Sequence, residues 1–361
     1  MSFHPRDHLI GDNIKRPDWY KSSNRDKKMI FLDKNENNDS ILQDFHFKNL
    51  ISLTKDVLST YPDNSYLYKK LSDHLEISPE NLILGPGSDG IIRSVFETFI
   101  NDGDRVILTS PTFAMYPIYS KIYKASVIEI NYLSKDEMPY MSIDEVISKL
   151  KSSKAKLFCL PNPDSPTGTV FELDEIEYII KIANEVGTIV LIDEAYYPFY
   201  DKTAIKLISK FDNLIITRTF AKAWALAGLR TGYGVSSKRL INYMHKIKSM
   251  YEINTIASNM LCNAIDSYTE ILNSVKRLNN GKEWFIKSLR QLDFKVWEAH
   301  GNFMHVNFGT NSNQIHKKLS NIVLYRKEFK EDSLSGYSRF SSTTQYEFEI
   351  IFKSILDIRS K

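Results

Sequence analysis

The stretch NLIITRTFAKAWALAGLRTGY, residues 213–233, joins an apolar run to a single lysine among small residues. Its first part, NLIITRTF, is rich in β-branched apolar residues, which predicts a strand buried on both faces of a parallel sheet. In its second part Lys222 has no charged neighbour until Arg230. A lysine so placed can belong to a helix, with its amine in solvent and its stem covering apolar surface. It can also be a reactive amine, because an apolar pocket or a nearby cation lowers the pKa of a lysine and lets it attack a carbonyl.

Four more apolar runs have the same character, and amphipathic helical patterns such as residues 173–183 separate them. They are NLILG at 81–85, RVILTSP at 105–111, AKLFCLP at 155–161 and TIVLIDEAY at 188–196. Strands that alternate with helices form a mostly parallel sheet covered by helices on both faces. We therefore predict an α/β fold.

The pattern changes near residue 250, where a long helical region precedes the strand-like runs DFKVWEA and FMHVNFG and a C-terminal helix. A chain of 361 residues also exceeds the usual length of a single domain. We expect residues 46–249 to form a large domain and residues 250–361 a smaller α+β domain, with residues 1–45 joining the small domain. The polar run KNENNDS, residues 34–40, is interpreted as a loop where the N-terminal segment meets the large domain.

Composition argues against several classes of protein. Hydrophobic residues make up 42% of the chain and charged residues 25%, which is typical of a globular protein rather than a disordered one. A net charge of +3 without a basic, aromatic-rich patch argues against a nucleic-acid partner. The chain lacks an apolar run of the roughly 18 residues that a membrane helix needs, and it lacks a signal peptide, so we expect a cytoplasmic protein with no membrane partner. Two cysteines, Cys159 and Cys262, and eight scattered histidines predict neither a disulfide framework nor a metal site.

Unusual residues collect where the predicted strands end, which is where open parallel sheets bind ligands. GPGSDG, residues 85–90, follows a strand and opens a helix, so its N–H groups could bind a phosphate, although such glycines often only form a turn. SPTFAMY offers Phe113 as an aromatic platform or as a core ring, and NPDSPTG, residues 162–168, is a polar turn. Asp193 ends an apolar strand, where a carboxylate is costly without a partner, so its position favours a functional role.

These strand ends, together with Lys222, supply a phosphate cradle, an aromatic platform, a polar turn, a carboxylate and an amine. The combination suits pyridoxal 5′-phosphate, whose enzymes use a Schiff-base lysine, a carboxylate beside the pyridinium nitrogen and a phosphate site. With these motifs the chain resembles the fold-type I aminotransferases over nearly its whole length. Within that group it is most similar to the histidinol-phosphate aminotransferases. The large domain would then be the cofactor-binding domain.

The resemblance implies a set of cofactor contacts. Lys222 would form the Schiff base and move a proton between the substrate α-carbon and the cofactor. Asp193 would keep the ring nitrogen protonated. The remaining contacts are to the phosphate and the ring: Thr219, Arg230 and the backbone at Ser88 and Asp89 would bind the phosphate, Phe113 would stack on the ring, and Tyr196 would hydrogen-bond its 3′ oxygen.

The resemblance also implies a homodimer and a small-molecule substrate with anionic groups. Tyr61, in TYPDN, matches a tyrosine that reaches the cofactor phosphate of the neighbouring subunit, so the active sites would be shared. The segment LYRKEFKEDSLSGYSRFSS, residues 324–342, resembles the part of the family that binds substrate anions. There Arg339 would bind the carboxylate of an amino acid and Arg326 a substrate phosphate, as guanidinium groups bind both in a bidentate manner.

The chain departs from the family pattern at two positions, and three functions stay open. Ser165 replaces an asparagine that contacts the ring oxygen, and Ala221 replaces a hydroxyl residue before the lysine. The favoured function is an aminotransferase between glutamate or 2-oxoglutarate and a small phosphorylated substrate, with histidinol phosphate as the named candidate. The alternatives are a decarboxylase of a phosphorylated amino acid and a non-catalytic protein. Retention of the lysine and its predicted partners argues against the last.

Overall fold

The computed structural model describes residues 5–10, 14, 25–136 and 138–359. Within them the strands are β1 (Ile30–Leu32), β2 (Leu82–Gly85), β3 (Arg105–Ser110), β4 (Ser126–Asn131), β5 (Leu133–Lys135), β6 (Met138–Tyr140), β7 (Leu157–Pro161), β8 (Ile189–Asp193), β9 (Leu214–Thr219), β10 (Gly232–Ser236), β11 (Lys295–Trp297), β12 (Phe303–Asn307), β13 (Val323–Tyr325) and β14 (Tyr337–Ser341). The helices are α1 (Ser40–Ile51), α2 (Ser65–Leu75), α3 (Gly87–Phe99), α4 (Met115–Ile122), α5 (Ile143–Ser153), α6 (Leu173–Glu185), α7 (Lys238–His245), α8 (Thr255–Asp266), α9 (Tyr268–Arg290), α10 (Ser312–Leu319) and α11 (Gln345–Arg359).

The central sheet has seven strands in the order β2-β10-β9-β8-β7-β3-β4. All of its neighbouring pairs are parallel except those of β10, which is antiparallel to both β2 and β9. Six strands therefore point the same way, and their carboxyl ends meet at one edge. The predicted α/β fold with a mostly parallel sheet is confirmed, and each of the five apolar runs contains one of the parallel strands.

The first core has two layers, one on each face of the central sheet, so the sheet is apolar on both faces. In β7, Phe158 and Leu160 pack into one layer, while Leu157 and Cys159 pack into the layer on the opposite face. Side chains of a strand point alternately to its two faces, so an unbroken apolar run is what a doubly covered strand requires. This packing fixes where each strand ends, and therefore where the residues that follow it lie.

A second core lies under the three-stranded antiparallel sheet β11-β12-β14, and α9 and α11 contribute to it. The N-terminal strand β1 pairs in parallel with β13 beside this core, whereas Met260 and Leu261 of α8 pack into the first core. Tyr196 contacts Ala299 and Phe303 where the two parts of the chain meet. The division into domains after residues 45 and 249 stays a prediction. The contact of Tyr196 with Ala299 and Phe303 joins residues from two of these predicted domains.

Two further observations concern partners. Among the helices that the structure describes, none combines the length and apolar character needed to cross a membrane. No cluster of three or more histidine, cysteine, aspartate or glutamate side chains suited to a metal ion was found in the described ranges.

Candidate active site

A cavity of about 500 Å³ opens at the carboxyl edge of the central sheet. The residues predicted from sequence that line it are Ser88, Asp89, Phe113, Ser165, Asp193, Tyr196, Thr219, Lys222, Arg230, Arg326 and Arg339. The carboxyl ends of β2, β3, β7, β8 and β9 and the segments that follow them contribute the first nine, because these strands run in the same direction. Arg326 and Arg339 come from the C-terminal part of the chain: Arg326 directly follows β13, and Arg339 lies in β14.

Tyr61 lies apart from this cavity. It is 77% exposed, and its ring stacks on Tyr251 with centroids 4.5 Å apart. It lines a separate cavity of about 230 Å³ with Leu58, Pro62 and Asn254. A single chain therefore does not bring Tyr61 to the other predicted residues.

One end of the large cavity is suited to an anion. Ser88 lies in the first turn of α3, where backbone N–H groups are free of helical partners. Gly87 has a φ of 81°, and a Cβ there would be 3.1 Å from a guanidinium nitrogen of Arg230. Gly232 of β10 must also lack a side chain, because a Cβ would lie 2.4 Å from the Ser88 nitrogen. These glycines leave room for the helix terminus, Arg230 and the hydroxyl of Thr219 to lie around one anionic group.

Asp193 ends β8 on the floor of the cavity with both of its oxygens engaged. The Tyr116 hydroxyl donates to Oδ2 over 3.1 Å, and the Ala195 nitrogen donates to Oδ1 over 3.1 Å. Burial raises the pKa of Asp193 to about 7, although both hydrogen bonds oppose that shift. Phe113 meets Tyr116 edge to face, with ring centroids 6.0 Å apart. The carboxyl is thus held in one orientation and can exchange a proton near neutral pH.

Lys222 follows β9, and its amine donates a hydrogen bond to the carbonyl oxygen of Lys34 over 2.7 Å. Burial, together with the positive charges of Arg339 and Arg230, lowers the pKa of this lysine to about 8, against the opposing effect of the acidic Glu36. Its environment is that of a reactive amine. The amine is bonded to a backbone carbonyl in the cavity wall.

Arg326 and Arg339 are paired through their backbones. The Arg326 nitrogen donates to the Arg339 oxygen over 3.1 Å, and the reverse bond is 2.8 Å long. Side chains of directly opposed residues lie on the same face of a ladder, so both guanidinium groups reach the same cavity. Arg339 is 7% exposed, and its Nε has no hydrogen-bond partner within the described ranges. Arg326 is half exposed, lies over the ring of Phe329 and is 3.9 Å from a carboxylate oxygen of Glu331.

A buried ion pair joins the strand ends behind the cavity. Arg218 of β9 and Glu194, which follows β8, are 2.8 Å apart, and each side chain is 4% exposed. Glu194 also accepts hydrogen bonds from the Thr203 hydroxyl and the Ala204 nitrogen. The pair lies directly beside Asp193 and Thr219 in sequence, so it fixes the spacing of the two strands that carry them.

Sequence reasoning missed several residues of the cavity, above all Asp33, Lys34 and Asn35. They belong to the N-terminal segment, which crosses the cavity between the two parts of the chain. The available signal was the polar run at 34–40, which contains three asparagines. Asn35 has a φ of 55°, a backbone conformation that asparagine tolerates better than most residues. Glu331 was also missed, although it lies within the segment that was singled out for anion binding.

Comparison with known proteins agrees with this geometry. The family model "Aminotransferase class I and II" matches residues 27–355. A histidinol-phosphate aminotransferase of Caldanaerobacter subterraneus subsp. tengcongensis is 33% identical over 318 residues, which cover 87% of this chain and 88% of that protein.

Two solved structures illustrate the shared fold. The histidinol-phosphate aminotransferase of Sinorhizobium meliloti, in complex with pyridoxal-5′-phosphate, superposes with a TM-score of 0.79 at 20% identity and covers 92% of this chain and 91% of that one. The L-threonine-O-3-phosphate decarboxylase of Porphyromonas gingivalis gives a TM-score of 0.76 at 19% identity, with coverage of 92% and 100%. At these identities the likeness concerns the fold alone.

A family match that spans both cores and every residue of the cavity settles the class of the protein. A lysine that follows β9 and a buried carboxyl at the end of β8 are residue types that such chemistry uses. The chain belongs to the class I and II aminotransferases and is a transaminase that depends on pyridoxal 5′-phosphate.

Proposed function

We propose that this transaminase moves an amino group between glutamate or 2-oxoglutarate and a small phosphorylated substrate, with histidinol phosphate as the first candidate. The observation that carries the proposal is the pair of arginines that face the cavity together with Lys222. Arg339 is buried, and its Nε–H has no partner among the residues that the structure describes, whereas Arg326 lies at the more exposed side. A substrate with one anionic group near the reacting carbon and a second one farther away would pair with both arginines. The named relative at 33% identity supports the same substrate class.

The residues present fit the cofactor. Its phosphate suits the end of the cavity formed by α3 and Arg230, where two glycines leave space that a Cβ would fill. Asp193 presents a buried carboxyl for the ring nitrogen, and Lys222 presents an amine of lowered pKa. Phe113 lines the wall between them.

When bound, pyridoxal 5′-phosphate supplies an aldehyde that accepts an amino group and a ring that withdraws electrons from the carbon being deprotonated. The chain's own residues then have separate tasks. Lys222 is unprotonated in roughly one molecule in ten at pH 7, because its pKa is about 8, so it can both attack a carbonyl and carry a proton. Asp193 holds a proton or negative charge at the ring nitrogen, and Arg339 orients the substrate carboxylate. Tyr196 donates its hydroxyl proton at the ring oxygen.

The competing function is decarboxylation of a phosphorylated amino acid, which the same two arginines could bind. Fold and cofactor site do not determine which bond at the α-carbon breaks. The test is to mix the loaded enzyme with glutamate alone. We expect bleaching of the yellow absorbance with release of one 2-oxoglutarate per site, and added 2-oxoglutarate should restore the absorbance. Release of carbon dioxide from phosphorylated amino acids, without this half-reaction, would overturn the proposal in favour of a decarboxylase.

The proposal includes a homodimer in which Tyr61 completes the partner's phosphate site. Its exposed ring, far from the cavity of its own chain, supports this role. The test mixes Tyr61→Phe chains with Lys222→Ala chains. In the heterodimer both lesions fall in one site, so the other site is intact and activity should reappear. No recovery after verified subunit exchange would contradict the shared site. A cytoplasmic location also remains a prediction.

A further inference from the structure

Three consecutive residues of the N-terminal segment, 33–35, contact three residues of the active site. The first carbonyl oxygen accepts a hydrogen bond from Arg339 over 3.1 Å, and the second accepts one from Lys222 over 2.7 Å. The third residue, Asn35, donates a side-chain N–H to the Tyr196 hydroxyl over 2.9 Å. The segment therefore connects the substrate arginine, the reactive amine and the tyrosine through adjacent positions.

The Asn35 side-chain NH₂ group faces the Tyr196 hydroxyl, and its amide oxygen faces Ser341, whose hydroxyl also lies 2.9 Å from the Leu32 carbonyl oxygen. The Ser341 hydroxyl lies 3.0 Å from the amide oxygen and accepts a hydrogen bond from the Asn35 backbone nitrogen over 2.8 Å. Asn302 donates to the Asn35 carbonyl oxygen over 3.0 Å. Asn35 is 2% exposed, so water does not replace these partners. With its oxygen facing Ser341, the amide directs its NH₂ group at Tyr196.

The direction of this hydrogen bond determines where the tyrosine proton can go. An amide NH₂ group only donates, so the Tyr196 oxygen accepts from Asn35. Ser165 lines the same cavity, and its side chain opposes the rise that burial causes in the pKa of Tyr196. The hydroxyl proton of Tyr196 then remains available for a group in the cavity.

We propose that Asn35 is a positioning residue, which donates to Tyr196 and so directs the tyrosine proton toward the ring oxygen of the cofactor. This inference rests on the proposed function. Asn35 does not need to touch the reacting atoms, and its effect passes through Tyr196. Because Ser165 replaces an asparagine that would contact the phenolic oxygen, the orientation of the remaining Tyr196 donor matters more.

A spectroscopic readout separates this role from a purely structural one. A donated hydrogen bond disperses negative charge on the ring oxygen, so a proton beside that oxygen is held less tightly. Loss of the hydrogen bond from Tyr196 to the ring oxygen should therefore raise the midpoint of the pH titration of the cofactor absorbance. The charged groups that act on Tyr196 and Lys222 also affect this midpoint, and they are Asp193, Arg339, Glu36 and Arg230.

The backbone of Asn35 restricts the useful substitutions. At a φ of 55° aspartate and glycine are tolerated, whereas other side chains add strain. Asn35→Asp removes the N–H donor but adds a charge, and Asn35→Gly removes the donor without adding one. Asn37 provides matched controls, because it is 4% exposed and its side chain bonds to Ala223 and Ser274 rather than to Tyr196.

The experiment titrates the absorbance of the cofactor-loaded wild type and of Asp and Gly variants at both positions. We expect both Asn35 variants to raise the midpoint by about one pH unit and both Asn37 variants to keep the wild-type value. If the Asn35 variants do not fold, Ser341→Ala is used, and a smaller rise is expected because the amide loses the partner of its oxygen.

Two results would overturn the inference. A rise with Asn35→Asp but none with Asn35→Gly would show an effect of charge alone, and equal shifts at positions 35 and 37 would show a general loosening of the segment. A wild type that gains no yellow absorbance with pyridoxal 5′-phosphate would instead overturn the proposed function, and the inference with it.

Discussion

The amine of Lys222 hydrogen-bonds to the carbonyl oxygen of Lys34, 188 positions earlier in the chain, over 2.7 Å. This contact places the one charged group of an apolar stretch against the N-terminal segment, at the wall of the cavity. Burial there lowers the pKa of the amine to about 8, which gives the first prediction.

When the apoprotein reacts with pyridoxal 5′-phosphate and is reduced with borohydride, the label should fall on Lys222. Its rate of formation should rise with pH through about 8, since only the unprotonated amine attacks. Lys282 is an internal control, because its pKa is also lowered to about 8 but its amine bonds to the carbonyls of Ala299 and Gly301. Peptide mass analysis decides between them. A label on Lys282, or a midpoint near that of free lysine, would contradict the assignment.

The second prediction concerns the pH dependence of apoprotein stability. Burial raises the folded-state pKa of Asp193 to about 7, above the usual value of 3.8 for an aspartate. The folded state therefore binds more protons than the unfolded state between about pH 4 and 7, and stability falls as pH rises through this window. In the wild type, Asp193 should lower the free energy of unfolding by up to about 4 kcal/mol across this window. Asp193→Asn should abolish this decrease, as measured by urea unfolding at several pH values.

Asp164 supplies the matched control for Asp193. It is fully buried, and burial also raises its pKa to about 7, but it does not line the cavity. Asp164→Asn should flatten the stability profile to a similar extent while retaining cofactor affinity, whereas Asp193→Asn should weaken it. Equal cofactor affinity in both variants would contradict the role of Asp193 at the ring nitrogen.

The third prediction concerns the buried pair of Arg218 and Glu194. Arg218→Met leaves a carboxylate buried without its cation, which should lower the free energy of unfolding by about 3–5 kcal/mol. Adding Glu194→Gln should recover part of the loss, because the unpaired charge is removed. Chemical denaturation of the two single variants and the double variant measures this coupling. Strictly additive losses would show that the pair does not act as a unit.

The fourth prediction distinguishes the roles of the two arginines that we propose to bind the substrate. Arg339→Ala should reduce kcat/KM for every substrate with an α-carboxylate, at about 1.5–3 kcal/mol per charged hydrogen bond lost. Arg326→Ala should weaken the binding of a phosphorylated substrate more than the binding of glutamate, because a phosphate has more negative charge than a carboxylate. Lys327→Ala is the control, since the adjacent cation does not line the cavity. Equal losses for both substrates would contradict a phosphate role for Arg326.

The sequence by itself determined five of the seven strands of the central sheet and the residue types at their ends. Burial on both faces forces an unbroken apolar run, and the run in β7 or β8 is visible without any knowledge of its neighbours. Asp193 and Lys222 stand out for the same reason, because a charge beside such a run is costly and so needs a partner or a function.

Only the tertiary structure decided which distant segments meet. β10 has two glycines in five residues and so gives a weak strand signal, yet it lies between β2 and β9 because Gly232 allows close approach to Ser88. The contacts of Asn35 with Tyr196 and of Arg339 with the N-terminal segment span more than 150 positions. Such contacts depend on how the two cores pack against each other, and local periodicity along the chain does not contain that information.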